Sequence, residues 1–294
     1  MIIANLKGGL GNQMFQYALA YTLAHKTRSH VKVDLRYLSE RRGSRGYVDR
    51  QYDLDVFGIP ANQANWPELA SVGMAWGDFR TRFVLAKILD RVGFRVVCER
   101  VPRFEERVLA RSGVLYLDGY WQSEKYFRSV ERQIRERFSL AGVERNDSVR
   151  QLADRIRCQE AVCVNVRRTD FVGHANHDVV TTDYYQQAMV ALRKAIGSRF
   201  ELFIFSDDVE WCAKNLNLHI NQNIVAHDYA GWKFSAYLHL MSQCKYFIIP
   251  NSTFAWWAAW LSTRPGKIVY APRIWSGTGH VDAKDIVPSS WILI

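Results

Sequence analysis

Short apolar runs alternate with amphipathic helical patterns along this chain, and that rhythm restricts its fold more than any other feature. The second half shows it best. Residues 161–166 (Ala-Val-Cys-Val-Asn-Val) read as a strand, and a helix over 183–196 puts Ala188, Met189, Leu192 and Ile196 on one side. A strand over 200–205, a helix after Asp208, a helix over 233–243 and a strand over 246–249 follow. Pro250 ends that strand, and a helix from Phe254 to Leu261 leads to a strand over 267–271. The first half reads as strand 2–6, helix 12–27, strand 31–35, a basic loop, mixed segments, strand 114–118 and a charged helix over 123–138. Strands joined by helices pair in parallel and bind ligands at their carboxyl ends. The expected class is therefore α/β, in two Rossmann-like lobes with a cleft between them. A chain of 294 residues that is 48% hydrophobic can fill two cores. Polar residues gather from Gly142 to Val149, so the expected domains are 1–148 and 149–294.

The first strand runs into Lys7, Gly8, Gly9, Leu10, Gly11, Asn12 and Gln13 and then straight into a helix. Glycines bare the backbone, and the helix start offers unpaired N–H groups to an anion such as a phosphate. The dinucleotide fingerprint fails because Met14 stands where a small residue is needed, and the P-loop ending is missing. A Gly-rich turn also joins strand to helix with no ligand at all, so both readings stand.

Basic residues number 39 against 29 acidic, a net charge of +10 that suits polyanions, anionic membrane surfaces or phosphorylated small molecules. The excess lies in the first half, with Arg36, Arg41, Arg42, Arg45 and Arg50 in one cluster. In a second cluster Arg80, Lys87, Arg91 and Arg95 share a helical stripe, leaving Phe83, Ile88, Leu89 and Val92 for the other side. Such a helix either lies on a membrane or, more commonly, packs its apolar side on its own domain. Nucleic acid is not expected, for no zinc finger, RNP-type strand or basic heptad pattern occurs. There is no apolar run of about 18 residues and no signal-type leader, which points to the cytoplasm, with the inner membrane face as a peripheral station. The five cysteines are odd in number and scattered, as reduced core thiols are. His174 and His177 lack a third ligand at zinc spacing, and Asp53 and Asp55 sit among Tyr52, Leu54, Val56 and Phe57 rather than in an open loop, so no metal is expected.

Arg167, Arg168, Thr169 and Asp170 follow strand 161–166 at the ligand-binding edge. Neighbours in extended backbone point opposite ways, so one guanidinium should meet phosphate oxygens while the other is tied to Asp170 or a nearby loop. Ser252 and Thr253 begin a helix directly after a strand, where a hydroxyl either caps the helix or cradles a phosphate. Trp256, Trp257 and Trp260 are expected to pack that helix on the sheet. Asp207 and Asp208 occupy a third strand end, suited to ribose hydroxyls or to starting the helix at Val209. Hydrolase chemistry lacks its parts: neither a Gly-x-Ser-x-Gly elbow nor His-Glu-x-x-His occurs.

Taken together, the stretch Gly8 to Ala18, the stretch Asp118-Gly119-Tyr120-Trp121-Gln122, the stretch Val164 to Phe171 and the stretch Asn251 to Trp257 resemble the bacterial α-1,2-fucosyltransferases of glycosyltransferase family 11. The likeness runs over almost the whole chain, with the motifs in order. It implies a GT-B fold and inverting transfer of L-fucose from GDP-fucose to the 2-hydroxyl of a galactose-type acceptor. No cofactor and no metal are implied, and the setting would be surface glycan or O-antigen assembly. The partners would be a nucleotide sugar and a glycan acceptor, with a peripheral contact to an anionic membrane. By position, Arg167 would bind the β-phosphate with Arg168 and Asp170 in support. Asn165, Asp207, Ser252, Thr253 and Phe254 would complete the donor site, and Gly9, Gly11, Asn12 and Gln13 would close over it from the other lobe. Asp118, Tyr120, Trp121 and Gln122 would meet the acceptor. Without a metal, leaving-group charge falls to arginine and helix N–H donors. Three departures from the pattern stand out. Asn165 replaces a histidine, Thr169 a glycine, and Tyr237 an acid that reads guanine, which leaves guanine to Asp228, Asp207 or backbone carbonyls. The general base would be Asp34, Asp118 or Asp170. Two rival readings are a GT-B transferase for another nucleotide sugar and a catalytically silent glycan- or nucleotide-sugar-binding protein.

Overall fold

The computed structural model describes residues 1–40, 49–140, 146–169, 173, 180–276 and 283–294. The chain divides into two compact units, Met1–Phe138 and Ser139–Ile294.

In the first unit, strands β1 (Ile2–Asn5), β2 (Val31–Asp34), β3 (Val96–Cys98) and β4 (Leu115–Asp118) form a parallel sheet in the order β2-β1-β4-β3. Ile2 pairs with Val31 on one side and Leu115 on the other, so the carboxyl ends of β1, β2 and β4 stop level. The strand at 96–98 is too short to give a periodic signal, and the sequence pattern passes over it. The charged helix expected over 123–138 is broken into short 3-10 turns, Glu124–Tyr126 and Arg128–Val130, before the helix Glu131–Arg137. Tyr126 and Phe127 are both fully buried where the two turns meet.

The second unit holds β5 (Ala161–Val166), β6 (Glu201–Ser206), β7 (Gln222–Ile224), β8 (Tyr246–Ile248), β9 (Ile268–Ala271) and β10 (Ile292–Leu293). They lie parallel in the order β10-β9-β8-β5-β6-β7. From β5 the chain steps outward to β6 and β7, then returns to the other side of β5 to begin again at β8. Such a reversal leaves a crevice at the carboxyl ends of the two central strands, the usual ligand position in open parallel sheets. Val162, Val164, Leu192 and Ile204 fill the core on one face. On the helix Thr253–Leu261, Trp256, Trp257 and Trp260 are buried as expected, with the Trp256 indole N–H donating to the Ile286 carbonyl at 2.8 Å. The α/β class read from the sequence, with a parallel sheet in each of two units, is thus the observed one.

The basic helix spans Phe79–Arg91, capped by Asp78 at the Thr81 N–H (2.9 Å), and its basic stripe faces solvent as expected, with Leu89 packed on the core, but other apolar residues depart from expectation. Its buried stripe is Arg82, Ala86 and Asp90, and Phe83, Ile88 and Val92 face outward. The buried charges are paired, Arg82 with Glu40 at 2.7 Å and Asp90 with Arg100 at 2.9 Å, which makes their burial tolerable.

Cys98, Cys163, Cys212 and Cys244 are buried free thiols, and Cys158 is exposed. Among the described residues no group of His, Cys, Asp and Glu is placed to hold a metal ion, and His174 and His177 lie outside those residues. No helix among the described residues is long and apolar enough to cross a membrane.

Candidate active site

At the carboxyl edge of the second unit, Asp207 organises the turn after β5. Its carboxylate lies 3.2 Å from Arg167 Nη1 and accepts the Arg168 N–H at 2.9 Å and the Thr169 N–H at 3.1 Å. The Thr169 hydroxyl donates to it as well. This corrects its expected place as a ribose ligand, since its oxygens are taken up by the neighbouring strand end. Thr169, where the family pattern has glycine, supplies two of those bonds.

Arg168 is the fixed member of the arginine pair. Its Nε lies 3.3 Å from Asp208 Oδ2 and its guanidinium stacks 3.7 Å from the Trp211 ring centre, while Asp208 Oδ1 caps the helix Val209–Asn215 at the Trp211 N–H (3.0 Å). Arg167 pairs with Asp207 and Arg168 with Asp208, so each arginine of the pair is tied to its own aspartate. Asp170 lies outside the described residues.

Asn165 is buried and donates to the Phe205 carbonyl at 3.0 Å, bridging β5 to β6; with its amide so used it stands behind the site rather than in it. Ser252 is the residue at the start of the helix Thr253–Leu261, yet its side chain makes no capping hydrogen bond, so the first-turn N–H groups keep their capacity for an anion. Thr253 and Phe254 follow on that first turn. Tyr237 is buried, its hydroxyl donating to the Val225 carbonyl at 2.5 Å and its ring edge-on to Phe205 at 5.4 Å. Burial comes first in pushing its phenol well above the ordinary range, so it persists as a neutral donor. Beside it, Lys233 and Phe234 both hold left-handed backbone (φ 52° and 59°), a strained pair for residues with side chains.

In the first unit the Gly-rich turn is built without a side-chain cap. Gly9 is the residue before the helix Leu10–Lys26, and its carbonyl accepts the Asn12 and Gln13 N–H groups at 3.0 and 3.1 Å. Gly8 has φ +72°, and a Cβ there would lie 2.4 Å from Asn12 Nδ2. Gly8→Ala is expected to lower stability by about 1–2 kcal/mol, read by urea denaturation. Gln13, expected to touch the donor, is instead fully buried: it donates to the Gly8 and Gln51 carbonyls (2.9 and 2.7 Å) and accepts the Asp53 N–H (2.9 Å). Gln16 holds the Lys7 backbone in the same way, accepting its N–H at 3.0 Å. Gly11 is buried within the first helical turn, and Asn12 accepts from the Gln122 side chain at 2.9 Å.

The expected acceptor residues separate. Trp121 is buried, at φ +58° and edge-on to Tyr126, so it belongs to the core. Glu99 accepts the Tyr120 and Trp121 N–H groups at 2.7 and 3.0 Å; burial foremost raises its carboxyl pKa, and these two bonds work against the rise. Tyr120 keeps an exposed side chain. Asp118 accepts from Asn5 Nδ2 at 2.7 Å and pairs with Lys7 Nζ at 2.5 Å.

Asp118, Asn5 and Lys7, with Arg80 and Arg82, form the polar part of a cavity of about 350 Å³ whose other walls include Tyr37, Phe79 and Phe83. A carboxylate, an amide and an ammonium facing three aromatic rings suit a sugar, which offers hydroxyls at its rim and C–H bonds on its faces. Lys7, Asn5 and the helix starting at Phe79 escape a sequence reading because they lie far apart along the chain. The one signal is that Asn5 and Asp118 each end a strand, with Lys7 two residues beyond Asn5.

Asp34 does not reach this cavity. It is buried and held by three bonds from the Arg36 side chain (2.9, 3.2 and 2.7 Å) and by the Tyr116 hydroxyl at 2.8 Å; unlike Asp118, which is also buried and paired, it has no face on the cavity. Burial alone would raise its pKa, but the Arg36 bonds and charge outweigh it and hold the carboxyl low. A lowered folded pKa gives stability that is present above the unfolded value of about 3.9 and lost as pH falls through the folded one. Asp34→Asn is expected to destabilise by about 3 kcal/mol at neutral pH and to flatten that acid limb in a pH series of thermal melts.

Residues 100–294 match the family described as Glycosyl transferase family 11. The chain is 30% identical over 304 residues to the α-1,2-colitosyltransferase of Escherichia coli, covering 100% of this chain and 99% of that one. It is 30% identical over 311 residues to the O-antigen biosynthesis glycosyltransferase WbnK of Escherichia coli, with 98% of each covered. Human galactoside α-(1,2)-fucosyltransferase 1 is 29% identical over 286 residues, or 90% of this chain and 65% of the human protein. A family match over well over half the chain, joined to end-to-end identity with bacterial transferases and two parallel-sheet units, identifies this protein as a glycosyltransferase of family 11.

Proposed function

We propose that the protein transfers L-fucose from GDP-fucose to the 2-hydroxyl of a galactose-type acceptor, with inversion and without a metal, in surface-glycan or O-antigen assembly. The observation that carries this reading is that Arg167 and a helix start not capped by Ser252 follow the carboxyl ends of the neighbouring strands β5 and β8. Two such groups complement a diphosphate whose charge grows as it leaves. The acceptor oxygen attacks the anomeric carbon as its bond to the β-phosphate oxygen breaks, GDP departs with the electron pair, and the acceptor proton passes to Asp118. Guanine is left to Asp228 and nearby carbonyls, since Tyr237 and Asp207 have other partners.

A second reading is transfer of colitose, favoured by the 30% identity to the α-1,2-colitosyltransferase of Escherichia coli. Colitose is fucose without its 3-hydroxyl, so the two donors test a single contact. Calorimetry with GDP-fucose, GDP-colitose and UDP, ADP and dTDP sugars, with EDTA in every cell, separates the cases. Micromolar, GDP-fucose-selective binding is expected. Preference for GDP-colitose moves the assignment to the second reading, and preference for another nucleotide, or loss of binding in EDTA, overturns the proposal.

A further inference from the structure

The helix Phe79–Arg91 shows solvent a face that a packed helix normally hides. Phe83, Val84 and Ile88 are 50, 57 and 53% exposed, and Val92, just past the helix end, is 71% exposed. At about 100° per residue, Arg80, Val84, Lys87 and Arg91 form the centre of the outward face, with Phe83 and Ile88 on its flanks. Asp90, the acid of this helix, is on the buried side with Arg100. Cations and rings are paired along the surface: Lys87 Nζ lies 4.1 Å from the Phe83 ring centre, and the Arg95 guanidinium 5.8 Å from that of Phe94. Upstream, the exposed Trp66 and Trp76 meet edge to face at 5.3 Å.

Contiguous exposed apolar groups of this extent mark a contact surface. Here they are interleaved with long cationic side chains, whose stems can lie along an apolar boundary while their heads reach phosphates. Tryptophan is the residue most suited to the same boundary. A second copy of the chain fits poorly, because two-fold pairing would set Arg80, Lys87 and Arg91 against their own equivalents.

We propose that this face seats the N-terminal unit on a bilayer surface rich in anionic phospholipid, a role that goes beyond the transfer reaction and does not depend on the donor. The test is sedimentation of the full chain with vesicles of phosphatidylcholine alone or mixed with phosphatidylglycerol. At low salt the mixed vesicles are expected to bind about tenfold or more tightly than the neutral ones, and added salt is expected to weaken that binding. Lys87→Glu/Arg91→Glu is expected to lower binding at least about tenfold. Ile88→Ser/Val92→Ser is expected to lower it about as far with the charge unchanged. None of these four residues lines the cavity, so unchanged nucleotide binding and melting temperature verify the fold of the variants. Equal binding to both vesicles, binding to neither, or a double variant that binds like wild type overturns the proposal. So does a concentration-dependent dimer that both double variants abolish.

Discussion

Arg167→Ala is expected to lower kcat by more than a hundredfold, about 3 kcal/mol of transition-state stabilisation, while the fold stays intact. The argument rests on position. Arg167 is the first residue past β5, the strand at which the sheet order reverses, and its partner Asp207 fixes it from the end of β6. Arg168 cannot replace it, being held by Asp208 and stacked on Trp211. Arg167→Lys keeps a positive charge but loses the planar fork, and should fall between wild type and alanine. Steady-state kinetics with GDP-fucose, beside melting temperatures, make the comparison. Less than a twofold loss in the alanine variant removes Arg167 from the diphosphate site.

Asp118→Asn should have an effect of the same order, a loss of about 10²-fold or more in kcat with donor affinity held within a few fold, as removal of a general base does. Asp118 is the carboxylate that lines the cavity of the first unit, whereas Asp34 is enclosed by Arg36 and Tyr116. Asparagine keeps the shape and an acceptor for Asn5, so a collapse of the cavity would show separately as a lowered melting temperature. A loss below fivefold, with the protein folded, would transfer the role of base to Asp170.

The sheets were legible because their strands are apolar runs punctuated by glycine, proline or acids, and burial on both faces makes such runs continuous. Strand ends therefore located Arg167, Asp207, Ser252 and Asp118 correctly in the topology. What the side chains do there was less legible. Gln13 and Asn165 lie within motif stretches, yet their amides satisfy backbone groups that a sharp turn and a strand edge leave exposed, a demand visible only in three dimensions. The burial of Arg82 and Asp90 in the helix Phe79–Arg91, with Phe83 and Ile88 exposed, escapes the sequence for a related reason. Periodicity reports which residues share a face and is silent on which face is inward, and the partners that let Arg82 and Asp90 be buried, Glu40 and Arg100, are outside the helix.

The Arg167–Asp207 pair also bears on turnover. The contact at 3.2 Å engages one nitrogen of a guanidinium that carries five N–H donors, so Arg167 can keep Asp207 while it meets a diphosphate, with the carboxylate's charge subtracting from the net attraction. For the proposed reaction Asp207 is then an internal competitor of the product. A positive charge offset in this way holds GDP less tightly than an unpaired arginine would, favouring fast release over retention of a spent nucleotide.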